Sequence, residues 1–181
     1  MAVYKSFAEG VEVNGQTILS VVKALSSGQD TRLKILKKYG IDPEPDKWYS
    51  QQAWLDAFKE ISTVIGDHTL FMIGKSIPEN ATFPPEINNI EMALNAIDQA
   101  YHMNHQGGEI GHYKLIDFDE IRKSASMACN NPYPSGFDRG IITTMVRKFR
   151  PKDSFKTDVT LDTTKETRTK GAESCTFKIA W

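Results

Sequence analysis

The last thirty residues constrain the fold most. Phe155, Thr157, Val159 and Leu161 alternate with Lys156, Asp158, Thr160 and Asp162. After Gly171, the residues Cys175, Phe177, Ile179 and Trp181 alternate with Thr176, Lys178 and Ala180. A period of two puts one set of side chains on one face of a strand and the other set on the opposite face. The pattern predicts a hairpin with threonines continuing its first strand to Thr169, a turn at Gly171 and one apolar face. Such a face must be covered by other elements.

The chain before it supplies the cover. Ile18, Val21, Val22 and Leu25 recur at helical spacing, and Gly28 closes that segment. Asp30 is placed to cap a short helix carrying Leu33, Ile35 and Leu36 and ending at Gly40. Ser50 caps a third helix through Trp54, Leu55, Phe58, Ile61 and Ile65, with Tyr49 stapled onto Trp54. Gly66 stops it, and Asp67 caps another short helix. Residues 77–85 contain three prolines and mark the boundary between a helical subdomain, 1–85, and an α+β part, 86–181, of a single domain over 1–181. The next helix carries Ile87, Ile90, Leu94, Ile97 and Tyr101, stepping by three or four.

Two strands, 111–118 and 121–129, then join through Asp119-Glu120. A helix over 137–149 follows the Asn130–Gly136 loop. The order is helices, then ββ-α-ββ. The expected fold class is α+β, an antiparallel sheet covered by helices.

Composition excludes several function classes. A formal charge of −1 gives no global attraction to nucleic acid or to an acidic membrane, and the basic stretch around Arg147, Lys148, Arg150 and Lys152 lacks interleaved aromatics. Seven acids against Lys114 between Glu86 and Glu120, and eight bases against four acids between Arg147 and Lys170, read as two solvated faces or as patches that meet across a dimer. No window approaches the roughly 20 apolar residues of a membrane span. The segment Met1–Gly10 has no apolar run of the secretory type. Two cysteines without a CxxC pair suit a reducing cytoplasm. No P-loop, GxGxxG, GxSxG or HExxH motif occurs, so the reading leans away from an enzyme.

The most distinctive segment runs from Asp98 to His112. Asp98 and His102 stack four apart on a helix, His105 follows one turn on, and Gly107-Gly108 turns the chain back toward Glu109 and His112. His102, His105, Glu109 and His112 are the ligand types of a zinc or iron site, although the spacing is not a zinc signature. A single histidine beside an apolar helical stripe also suits a haem iron. The plainer reading is a helix C-terminus followed by a polar turn. A second candidate is Tyr133-Pro-Ser135-Gly-Phe-Asp138-Arg139, whose Tyr, Ser and Arg suit a carboxylate or phosphate. Against that, Ser135 and Asp138 have the spacing of a capping box, and capping is the favoured role for Ser135. Cys175, on the apolar face of the last strand, reads as an inert core thiol.

The run from Asn131 to Ile141, the following helix, Val159-Thr-Leu-Asp162 and Lys170–Ile179 together resemble the 4-vinyl reductase domain. That domain belongs to a superfamily with haem-dependent nitric-oxide and oxygen sensors and with Golgi transport-particle subunits. The helical part before it, with Trp48-Tyr49 and the helix ending at His105, is similar in layout to that of the haem sensors. The resemblance implies an apolar ligand pocket between helices and sheet, often in a homodimer. Ligands in the superfamily are gases, aromatic compounds or lipid-like molecules.

Cys175 stands at the Gly-x-x-x-Cys position, while Ser135 and Thr167 stand where further cysteines are expected, which argues against a thiolate zinc site. Tyr133, Ser135 and Arg139 follow the order of the sensors' Tyr-x-Ser-x-Arg haem-propionate motif with two extra residues before Arg139.

Three functions follow from this reading. The first is a sensory or regulatory domain binding a small apolar or aromatic molecule, walled by Trp54, Phe58, Tyr101 and Trp181, with Tyr133 and Arg139 at a polar end. It would signal through a partner protein or an oligomer change. The second is a haem or divalent-metal protein or enzyme using the His102, His105, Glu109 and His112 cluster. The third is a structural adaptor subunit.

Overall fold

The computed structural model describes residues 3–181, with only the backbone at Asp67, so the expected cap at Asp67 lies outside the described residues. The expected α+β class is observed. Helices and strands alternate as β1 Glu12–Asn14, α1 Gly15–Lys23, α2 Gln29–Lys38, β2 Trp48–Ser50, α3 Gln51–Glu79, α4 Ile90–Met103 and β3 His105–Gln106. They continue as β4 His112–Asp119, β5 Ser124–Asn130, α5 Ser135–Phe149, β6 Asp158–Leu161, a 3-10 turn at Arg168–Lys170 and β7 Cys175–Ala180.

The two hairpins pair into one antiparallel sheet ordered β4-β5-β7-β6. Register explains its sidedness. Cys129 faces Cys175, Met127 faces Phe177 and Ala125 faces Ile179, while Val159 faces Ile179 from the other side. All of these side chains are buried. Of the alternate positions, Lys178, Asp158 and Thr160 are solvated, while Thr176 is buried. A one-residue slip would exchange the two sets, so the apolar face fixes the pairing.

Several boundaries differ from the sequence expectation. Strand β6 ends at Leu161: the Asp162 N–H still donates to the carbonyl of its register partner Thr176 at 2.8 Å, and the Asp162 carboxylate then accepts from the Thr164 N–H and hydroxyl in the turn that follows. Phe155 is 89% exposed and belongs to no strand. The β4–β5 turn is longer than two residues. It includes Ile121, which is 96% exposed, and Lys123, whose φ is +52°. A register shift between Leu115 and Asp117 leaves Ile116 half-exposed. A small second sheet, β2-β1-β3, joins the first half to the residues after α4 in strands too short for periodicity to reveal.

Helix starts follow their caps. Asn14, Ser50 and Asn89 each accept a hydrogen bond from a first-turn N–H. Asp30 lies inside the first turn of α2, and Gly28 occupies the cap position instead. Gly66 interrupts α3 with φ +72° and ψ 168°, a conformation only glycine adopts readily, so α3 is two helices meeting at a kink. The second of these runs on through Ile77 and Pro78 to Glu79, so the proline-rich segment begins as helix.

Helices α4 and α5 pack together, α4 against β4 and α5 against β6, with α3 behind α5. The α3–α5 crossing is close. A Cβ on Gly74 would lie 2.1 Å from the Phe137 carbonyl oxygen, and one on Gly140 would lie 2.3 Å from that of Phe71. Buried residues from both sides of 77–85 join one core cluster.

Candidate functional site

The last turn of α4 delivers Tyr101 to the interior, and β3 just beyond it delivers His105. Both are buried, and β4 and the loop before α5 bring Tyr113 and Tyr133 against them. His105 Nδ1 lies 2.8 Å from the Tyr101 carbonyl, which can only accept, so Nδ1 carries the proton. That leaves a lone pair on Nε2, which accepts from the Tyr133 hydroxyl at 2.8 Å. Burial lowers the imidazole pKa to about 4, so His105 is neutral at neutral pH. Burial also raises the Tyr101 and Tyr133 phenols, keeping both protonated. The Tyr101 hydroxyl donates to the Ile110 carbonyl at 2.5 Å.

These rings wall an apolar cavity of about 150 Å³ between α1, α3, α4 and α5. Trp54, Ile97, Phe137 and Met145 line it along with Tyr101 and His105. No Asp, Glu, Lys or Arg borders it. Trp54, Tyr101 and Tyr133 are thus brought together at this cavity, which lies mainly among helices rather than between α4 and the sheet.

Phe58 is displaced from its expected role as a wall. It stacks behind Trp54, with ring centroids 5.1 Å apart. Trp181 lies at the far end of the sheet, stacked on Phe118 at 5.3 Å. Arg139 is exposed on α5, with its guanidinium over the Phe71 ring at 4.5 Å, and it does not reach the cavity. One turn of helix explains this: Tyr133 precedes α5 and points inward, while Arg139 is on the helix face toward α3.

The four proposed metal ligands do not converge. His102 stays beside Asp98, its Nδ1 3.5 Å from Oδ2, at a half-exposed surface. Glu109 is spent on the Gly111 N–H at 2.8 Å, His112 is exposed on β4, and His105 is buried among tyrosines. Among the described residues, no group of three or more His, Cys, Asp or Glu side chains could hold a metal.

The Ser135–Asp138 capping box is likewise absent. Ser135 makes no cap hydrogen bond; its Oγ lies 2.9 Å from Cys175 Sγ. Asp138 is fully buried and paired with Arg168. Arg168 also donates to the Asn131 and Tyr133 carbonyls at 2.6 and 2.7 Å, and Tyr113 donates to Asp138 at 2.7 Å. Burial pushes the Asp138 carboxyl up, and Arg168, Tyr113 and Asn131 oppose that. Arg168 keeps its charge at any working pH, so a neutral Asp138 would leave a buried cation uncompensated; the pair is ionised. This network holds the Tyr133 loop, and sequence reasoning missed it. The signal available was an Asp and an Arg thirty residues apart, each beside other charged residues, which is weak.

Neither a family model nor a curated protein matches the sequence. Solved structures do resemble the fold. An H-NOX protein from S. oneidensis in the Fe(II)NO ligation state is 10% identical, with 92% of this chain and 97% of that one covered and a TM-score of 0.63. An Fe(II) unliganded H-NOX variant from K. algicida is 15% identical, over 92% of this chain and 95% of that one, with a TM-score of 0.64. A structure described as modulating haem redox potential through protein-induced porphyrin distortion is 13% identical, over 93% and 99%, with a TM-score of 0.60. At these identities the shared property is the H-NOX-like fold. No helix among the described residues is long and apolar enough to cross a membrane.

Proposed function

We propose that this chain is a small-molecule-binding sensory or regulatory domain, whose ligand occupies the apolar cavity beside His105. The observation that carries it is that cavity: about 150 Å³, opening toward the surface beside the exposed Ala81 and Ala100, and bordered by no charged residue. An apolar cavity of about 150 Å³ is large enough to hold a benzene ring. Occupancy would be passed on through a partner protein or a change in a homodimer, since α3, α4 and α5 meet at the cavity and also form outer faces of the domain.

Haem, which H-NOX proteins of this fold hold, does not fit these residues as they are arranged. The cavity suits one ring, not a four-pyrrole macrocycle. His105 has the tautomer of a ligating histidine, with Nδ1–H on a carbonyl, but its Nε2 is occupied by Tyr133. No cation lines the cavity to receive propionates, since Arg139 is on Phe71 and Arg168 is committed to Asp138.

The test is an absorbance spectrum and native mass spectrometry of the purified protein. The proposal expects no Soret band and a retained or titratable small molecule of about one ring. A stoichiometric haem whose Soret band disappears in His105→Ala would overturn it. Failure of every one-ring probe to bind would favour the adaptor role.

A further inference from the structure

Resting on the ligand-binding reading above, we infer that residues 81–88 form the door of the cavity and that Lys148 is its latch, so that Lys148 sets how fast a ligand enters and leaves. The need for a door comes from burial. Trp54, Tyr133 and Phe137 border the cavity, yet they are 0%, 4% and 6% exposed. An aromatic ring is far wider than a water molecule and reaches these side chains only when a wall gives way.

The place where a wall can give way follows from the two sides of the mouth. The cavity opens toward the surface beside the exposed Ala81 and Ala100. Ala100 stands on α4, a continuous helix packed against β4 and α5. The other side is built differently. Pro78, Ala81 and Phe83 line the cavity from the end of α3 and the segment after it. Residues 81–88 contain no helix or strand, and Pro84 and Pro85 have no N–H to give. Among the described residues, the one backbone hydrogen bond of this segment runs from the Ile87 N–H to the Pro84 carbonyl at 3.0 Å, within the segment itself. Phe83 and Ile87 are its only side chains that are not exposed. A segment with so few backbone bonds and so little buried apolar surface opens at low cost.

Side chains hold it down instead. The Phe83 ring packs edge-on against Phe149, with centroids 5.3 Å apart. Lys148 lies over the same ring, its Nζ 4.7 Å from the centroid, and donates to the Pro78 carbonyl at 3.1 Å. One ammonium group thus ties α5 both to the last turn of α3 and to the segment beyond it. Lys148 is exposed and does not border the cavity, so replacing it leaves the walls of the site in place. An exposed cation–ring contact and an exposed hydrogen bond together favour the closed form by about tenfold.

Fluorobenzene, a neutral one-ring probe, tests this by fluorine NMR on the whole chain. Titration gives its Kd, and line shapes with saturation transfer give its exchange rates. A door changes the path and not the bound state, so in Lys148→Met we expect kon and koff to rise together by about tenfold, with Kd altered by less than about twofold. Lys148→Arg, which keeps a cation over the ring and a donor to the carbonyl, should exchange at close to the wild-type rates. A lysine that only capped the end of α3 would change the urea midpoint and leave both rates alone. Wild-type rates in Lys148→Met, a change in Kd with kon unchanged, or Lys148→Arg exchanging as fast as Lys148→Met overturns the latch and leaves the cavity reading intact. Failure of fluorobenzene to bind the wild type removes both.

Discussion

Lowering the pH should destabilise this protein through one imidazole. His105 is buried, and its pKa falls from 6.5 to about 4, chiefly by desolvation and further by the neighbouring His102, while its hydrogen bond to the Tyr101 carbonyl opposes the shift. A depressed pKa means the unfolded chain binds the proton first. The stability contributed by neutral His105 is therefore complete above about pH 6.5 and is lost as the pH falls toward 4. At about 1.4 kcal/mol per pH unit, the loss is about 2 kcal/mol by pH 5 and about 3 kcal/mol at pH 4. For a chain of this length, 3 kcal/mol lowers Tm by roughly 6–12 °C. Carboxylates titrate in the same window, so the measurement is a difference. Urea midpoints of the wild type and of His105→Gln are followed from pH 7.5 to pH 4. The wild type should lose about 2 kcal/mol more than the variant between pH 7 and pH 5. Parallel curves would mean that His105 is solvated or already protonated in the fold, and the neutral tautomer assigned to it would be wrong.

Breaking the Arg168–Asp138 pair on one side, with Arg168→Met or Asp138→Asn, should cost about 3–5 kcal/mol in urea denaturation, because the remaining charge is buried alone. The double variant Arg168→Met/Asp138→Leu should recover much of that. Gly74→Ala should cost about 1–3 kcal/mol by forcing α3 away from the Phe137 carbonyl, read as a lowered Tm. Gly66→Ala meets no atom within 4 Å, yet should cost about 1–3 kcal/mol through backbone conformation alone. Gly66→Asn should cost about as much as the alanine, because asparagine's tolerance of positive φ belongs to the left-handed helical region and ψ 168° lies outside it.

How far the fold was legible depends on the range of the interactions that set it. The final hairpin was readable because β6 and β7 carry a period-two pattern with one solvated face, and β5 shows the same alternation from Ala125 to Cys129. Gly66, Gly40 and Gly171 marked real breaks, each with a positive φ that the chain alone imposes. The β2-β1-β3 sheet was not readable: its strands have two or three residues, and their pairing partners lie tens of residues away. Boundaries that depend on a single polar side chain, such as Asp162 ending β6, were likewise invisible until its partners were in place.

The candidate site shows the same limit more sharply. Helical spacing placed Tyr101 and His105 on neighbouring turns, and aromatic content made Trp54 a fair wall. Local rules then assigned Ser135 and Asp138 to each other, since their spacing suits a cap. The fold overrides that assignment because Arg168 arrives from thirty residues downstream at a fully buried position. A buried guanidinium must have a carboxylate, and Asp138 is the one within reach. Once Asp138 faces Arg168, Arg168 is free to hold the Asn131 and Tyr133 carbonyls, and Tyr133 is presented to His105. Tyr133 then occupies the histidine nitrogen that a metal would need. The ion pair thus acts on the cavity through the Tyr133 loop, and loss of Arg168 should loosen the Tyr133–His105 contact before it alters the other lining residues.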